Sequence, residues 1–228
     1  MIYTIDLLDK TQIDHINKIF DISDFSDGSV SASYSSDKIK NNLQLEGYEH
    51  TELIYYMCDI LNRSNDYRQI TLCKSFNGML FCKYEKGMYY HSHLDDYSSG
   101  QFRTDYSTTV FLNSPDEYEG GELCLKVGNQ DLLYKLDAGK CLVYPTGLMH
   151  EVKEVKSGVR KVCVFWSESC IQDKDIRSII SDFNCMWSKY SDEALEKMGR
   201  NFYNELLNVK FNLMRKYGNF SGIATKRN

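Results

Sequence analysis

Between residues 69 and 168 the sequence breaks into short runs rich in Val, Leu, Tyr, Phe and Thr, punctuated by turn residues. Nine of these runs read as strands: ITLCK, MLFCKY, MYYHSH, YSTTVFL, GELCLKV, DLLYKL, KCLVYP, HEVKEV and GVRKVCVFW. Strands this short and this closely spaced predict an antiparallel barrel or sandwich. Gly87, Gly120–Gly121, Gly128–Asn129, Gly139 and Gly158 supply its turns.

The flanks have a helical period. Ile13, Ile16, Ile19 and Phe20 share one face over residues 9–21, after a capping Asp9 or Thr11. Leu53, Ile54, Met57, Ile60 and Leu61 repeat the pattern over 50–63, and residues 22–47 between them read as loop with short strands. From about residue 173 apolar residues again recur at three- and four-residue spacing. No linker separates the parts, and 228 residues suit one large domain. The expected division of residues 1–228 is N-terminal helical support over 1–66, a β catalytic core over 67–170, and C-terminal helices over 171–228.

Charge and cysteine usage narrow the function classes. The net charge is −5 and the basic residues are scattered, apart from a terminal KRN tail. No nucleic-acid partner is expected, because a backbone-gripping surface needs a basic field. No run approaches the length of a membrane span, and MIYTIDLLDKTQIDH lacks the parts of a signal peptide. The eight cysteines form no CxxC and several sit in apolar strands, so they read as buried free thiols. A cytoplasmic location follows as an expectation. Few prolines and abundant Asn, Lys, Ile and Tyr fit an AT-rich viral or bacterial genome, the host cytoplasm in the viral case.

The histidines locate the chemistry. His15 and His50 stand among polar neighbours in the N-terminal helical region and read as surface residues. The stretch MYYHSHLDDYSSG (88–100) holds His91, His93, Asp95 and Asp96, and the remaining histidine is the distal His150. Residues 91, 93 and 95 alternate along a strand and can share one face. Two donor sets are then open. His91, His93 and His150 would suit a catalytic zinc. His93, Asp95 and His150 form a two-histidine, one-carboxylate set of the non-haem Fe(II) oxygenase kind.

Arg160 bears on that choice. Alternation along GVRKVCVFW places it with Val162, Val164 and Trp166 on a mainly apolar face. An arginine there is costly unless it meets an anion, and its planar fork suits a carboxylate such as the far end of 2-oxoglutarate. The plainer account is an edge-strand arginine reaching solvent or an acidic side chain.

With these residues in this order, the chain resembles the 2-oxoglutarate- and Fe(II)-dependent dioxygenases of the prolyl 4-hydroxylase type, most of all the PKHD-type hydroxylases. The likeness is carried by YEKGMYYHSHLD (84–95), RTDYSTTVFLNSPDEYEGGEL (103–123), AGKCLVYPTGLMHEV (138–152) and GVRKVCVFW (158–166), with DGSV…KIKNNLQ (27–44) similar to the family's opening. The resemblance implies a mainly β fold: a double-stranded β-helix, or jelly-roll, cupin-like core with flanking N- and C-terminal helices. It implies iron held by His93, Asp95 and His150, and 2-oxoglutarate anchored by Arg160 with Tyr84 and Thr109 as hydrogen-bond donors. Ser107, Thr109 and Phe111 would face the interior. Gly120–Gly121 would shape the turn before GELCLKV, and Pro145 would fix the approach to His150. His91 would lie at the mouth of the site or in solvent, and Asp96 on the exposed strand face.

The implied reaction hydroxylates a C–H bond of a prolyl, peptidyl or amino-acid-like substrate. O2 is consumed and 2-oxoglutarate is oxidatively decarboxylated to succinate and CO2, with ascorbate as a reductant for the iron. The partner is then a protein, a peptide or a small molecule, with no membrane. Two rivals stand beside it: a zinc-dependent hydrolase using His91, His93 and His150, and a non-catalytic cupin-like metal- or ligand-binding module.

Overall fold

Asp9 starts the first helix, α1 (Lys10–Ile22), through a reciprocal capping box. Its carboxylate accepts from the Gln12 amide and the Gln12 side chain accepts from the Asp9 amide, each at 2.9 Å. These bonds satisfy donors that a helix start leaves open. Ile16, Ile19 and Phe20 are buried on its inner face. The computed structural model describes residues 1–31 and 39–221, and every statement below concerns those residues. Part of the stretch 27–44 and the KRN tail lie outside them.

Helix α2 (Gly47–Arg63) buries Leu53, Met57, Ile60 and Leu61, and the short α3 (Asn65–Thr71) follows it. The run ITLCK, expected as a strand, is divided. Ile70 and Thr71 complete α3, Leu72 turns the chain at φ 50°, and strand Cys73–Tyr84 begins beyond it. Tyr67 and Thr71, four residues apart, are both fully buried. Their packing outweighs the strand preference of Ile-Thr.

All strand pairs are antiparallel. The largest sheet has seven strands in the order Tyr3–Asp6, Lys140–Pro145, Tyr106–Phe111, Arg160–Ser169, Cys73–Tyr84, Leu43–Leu45 and Phe25–Asp27. A second has five: Gln130–Tyr134, Leu123–Val127, His150–Val152, Tyr89–His93 and Lys40–Asn41. Two ribbons join Tyr118–Gly120 to Val155–Gly158 and Ser98–Ser99 to Phe102–Arg103.

Side-chain alternation gives the seven-stranded sheet two buried faces. Phe81, Val110, Cys141, Val143, Cys163 and Phe165 pack with the buried stripes of α1 and α2. Cys82, Phe111, Leu142 and Val162 pack with Leu123, Leu125 and Val152 of the five-stranded sheet. Strand Tyr106–Phe111 is therefore buried at every position.

The expected mainly β, double-stranded β-helix core is not what forms. The sheets stay open: no strand pairing links the seven-stranded sheet to the five-stranded one, and no sheet closes on itself. Helices of 13, 17, 7 and 44 residues accompany them, so the fold is mixed α/β. Alternation reports which faces of a strand are buried, not which strand it bonds to, and closure depends on the second.

The last helix, α4 (Lys174–Tyr217), is broken at Gly199, where φ is 80° and ψ 170°. Leu213, Met214 and Tyr217 then return to pack beside Ile176 and Ile180. All eight cysteines are free, five of them buried. No helix is long and apolar enough to cross a membrane.

Candidate active site

His93 ends strand Tyr89–His93 and His150 begins strand His150–Val152, and the two pair across the ladder. Asp95 follows two residues after His93. One donor atom from each of the three lies within 4.8 Å of the others. His93 Nε2 is 3.8 Å from Asp95 Oδ1, and His150 Nε2 is 3.6 Å from Asp95 Oδ2. Each imidazole turns its Nδ1 to a backbone carbonyl: His93 to that of His91 at 2.8 Å, His150 to that of Leu148 at 2.9 Å. A carbonyl can only accept, so Nδ1 carries the proton and the Nε2 lone pair is left for a metal. Burial, then the neighbouring His150, pulls the His93 pKa down to about 4. His93 is thus neutral at neutral pH, as a ligand must be.

Neighbours hold these donors in place. The Ser107 hydroxyl donates to Asp95 Oδ2 at 2.6 Å. The Tyr90 ring stacks on His93 at 3.5 Å between centroids, and Tyr144 meets the His150 ring edge-on at 5.2 Å. The donor set opens into a cavity of about 440 Å³, which Tyr84, Thr109 and Arg160 also line.

Arg160 is the largest fully buried side chain. It does not sit on an edge strand; its strand is central in the seven-stranded sheet and pairs it with Tyr84. Its guanidinium carbon lies 5.0 Å from the Tyr84 ring and 5.6 Å from that of Phe111. Nε and Nη1 are buried with no hydrogen-bond partner. Burying a cation without an anion or acceptor is strongly unfavourable, and these two nitrogens belong to a side chain that lines the cavity. Burial also raises the Tyr84 phenol pKa, which keeps it a proton donor. Thr109 is buried on the same wall.

Gly121 makes the room Arg160 needs. Its φ is +67°, and a β-carbon there would come 3.1 Å from Arg160 Cδ and 2.9 Å from Val155 Cγ2. Gly120, at φ +73°, lies too close to the Glu154 carbonyl for any side chain.

The other sequence candidates lie elsewhere. His91 is exposed, its ring stacked on Tyr89 at 4.2 Å, and it is not among the clustered donors. Asp96 is exposed on the cavity rim. His15 is exposed beside Tyr56. His50 is half-buried rather than on the surface, with Nε2 2.9 Å from the Met79 carbonyl. Cavity residues given no role in the sequence include Tyr90, Tyr144, Lys40 and the Asp95-holding Ser107. Ser107 had a signal in its inward phase on YSTTVFL, and Tyr90 in its place within YEKGMYYHSHLD.

Comparison with known proteins follows the same lines. Residues 79–168 match the 2OG-Fe(II) oxygenase superfamily. The chain is 34% identical over 186 residues to a PKHD-type hydroxylase of Gloeothece citriformis, covering 80% of this chain and 84% of that one. It is 34% identical over 212 residues to one of Rippkaea orientalis, covering 89% and 94%. A prolyl-4-hydroxylase of Pseudomonas putida superposes with a TM-score of 0.54 at 15% identity, covering 74% of this chain and 92% of that one. A prolyl hydroxylase from Trichoplax adhaerens, in complex with a hypoxia inducible factor oxygen degradation domain peptide fragment, gives 0.55 at 16% identity, covering 79% and 86%. At those identities the likeness is one of fold.

Proposed function

We propose that this chain, which belongs to the PKHD-type hydroxylases, an enzyme family of the 2OG-Fe(II) oxygenase superfamily, holds Fe(II) with His93, Asp95 and His150 and hydroxylates a C–H bond. The observation that carries this is the shared cavity: a His-Asp-His donor set and, beside it, a buried arginine with two unmet guanidinium nitrogens. A metal that takes three protein ligands keeps positions open for a chelating cosubstrate and O2.

Each residue then has a task. Nε2 of His93 and of His150 and one Asp95 oxygen bind the metal, and the two backbone carbonyls fix the imidazole tautomers. Arg160 pairs with the far carboxylate of 2-oxoglutarate, and Tyr84 and Thr109 donate hydrogen bonds to it. The apolar walls of the cavity exclude water from the reacting centre. Iron supplies the oxygen chemistry, coupling decarboxylation of 2-oxoglutarate to succinate with hydroxylation, and ascorbate serves to keep it reduced. The substrate is a prolyl, peptidyl or amino-acid-like molecule, a reading supported by the peptide named in the Trichoplax neighbour. Eight free thiols support a reducing, cytoplasmic setting. A zinc hydrolase built on His91 has no such support, since His91 stands outside the donor cluster and Arg160 would have no partner.

Succinate release from 2-oxoglutarate under O2 tests the proposal. Release that requires Fe(II) and is abolished by His93→Ala supports it. Release unchanged by His93→Ala, or its absence from iron-loaded wild type with every prolyl, peptidyl and amino-acid substrate tried, opposes it.

A further inference from the structure

The cavity holds a second buried cation, which the proposed chemistry does not use. Lys40 lies on the edge strand Lys40–Asn41 of the five-stranded sheet, directly opposite Tyr90. It is 7% exposed and lines the same cavity as the donor set. Its ammonium donates to the Ser31 hydroxyl at 2.6 Å and sits 5.1 Å from the centroid of the Tyr90 ring, the ring that stacks on His93. Ser31 is a saturated, neutral partner: it also accepts from the Gln44 amide at 2.8 Å and donates to the Gly28 carbonyl at 3.0 Å. An ammonium has three donors, and one is used here. No ion pair to Lys40 is present among the described residues.

We propose that Lys40 forms a second anion site in the cavity and that the substrate carries a carboxylate that rests against it. This rests on the function proposed above, and what points to it is a buried ammonium that lines the cavity with two of its donors unmet. One compact ammonium with two spare donors fits a carboxylate. A phosphate dianion is ordinarily met by more donors, often arginines. The favoured substrates are thus an amino acid with its α-carboxylate free, or a peptide bearing an acid beside the hydroxylated carbon.

The test uses Zn(II)-loaded, 2-oxoglutarate-saturated protein, so that Arg160 is occupied and turnover is stopped. Binding of N-acetylglycine is compared with that of its neutral N-methylamide by ligand-observed NMR. Wild type is expected to bind the carboxylate at least tenfold more tightly. Lys40→Met is expected to lose that preference, and Lys40→Arg to restore most of it. Equal binding of the two probes by wild type, binding of neither, or a preference undiminished in Lys40→Met would overturn the proposal. Calorimetric binding of 2-oxoglutarate to the metal-loaded wild type separates the two levels. Without it the function proposed above fails; with it, and without a carboxylate preference, only the Lys40 site fails.

Discussion

His150 stands directly across the antiparallel ladder from His93, and their ring centroids are 4.2 Å apart. Backbone pairing therefore sets the spacing of two ligands, and Asp95 completes the set from the residues just past the strand end. The ladder rigidifies this geometry before any metal arrives.

Asp95 lacks that backbone support and relies on Ser107. Ser107→Ala removes the 2.6 Å bond to Oδ2, and loss of such a bond behind a ligand typically weakens metal binding by about 10- to 100-fold. Metal titration of the variant should show that loss, with turnover largely recovered at saturating Fe(II). An unchanged affinity would mean that Asp95 is positioned by something else.

The proposed pairing of Arg160 with 2-oxoglutarate predicts opposite effects of removing it on the free protein and on the cosubstrate complex. Arg160→Met should leave the ligand-free protein as stable as wild type or more so, by about 1–4 kcal/mol, since an apolar side chain replaces a buried unpaired cation. It should also lose the rise in melting temperature that 2-oxoglutarate gives wild type in the presence of metal. A variant that is less stable and still stabilised by 2-oxoglutarate would contradict both parts.

Gly121 couples the turn to Arg160. Gly121→Ala forces a side chain into φ +67° against Val155 and Arg160. A loss of about 1–3 kcal/mol is expected from the backbone alone, with a raised KM for 2-oxoglutarate because Arg160 must shift. Denaturant unfolding and succinate kinetics check the two effects separately.

Asp105 ties the cavity wall to α4. It accepts from Arg103 Nε and Nη2 at 3.0 and 2.8 Å, from Arg177 at 2.8 Å and from the Ser169 amide at 2.8 Å. Asp105→Asn leaves the buried Arg177 without its anion, and a loss of about 3–5 kcal/mol is expected in urea unfolding. A loss below 1 kcal/mol would show that these bonds are replaced by water.

The parts of this molecule visible in the sequence are those with local phase. Alternation put His93 and Asp95 on one face, Ser107, Thr109 and Phe111 on another, and Arg160 on an apolar one. Order along the chain linked them to His150. What alternation does not carry is pairing between distant segments. Nothing local to YTID shows that Tyr3–Asp6 takes the edge beside Lys140–Pro145, and nothing in the strand runs shows that the two large sheets stay open. Lys40 was hidden for the same reason. It reaches the cavity only because its short strand pairs with Tyr89 and Tyr90, some fifty residues on. The split of ITLCK was lost to tertiary burial of Tyr67 and Thr71, a contact no window of a few residues contains.

Anaerobic Fe(II) titration of wild type, His91→Ala, His93→Ala and Asp95→Ala tests the assignment of the metal centre most directly. Wild type and His91→Ala are predicted to bind one equivalent with similar affinity, whereas His93→Ala and Asp95→Ala bind far more weakly. Loss of iron in His91→Ala, together with undiminished binding in Asp95→Ala, would contradict it.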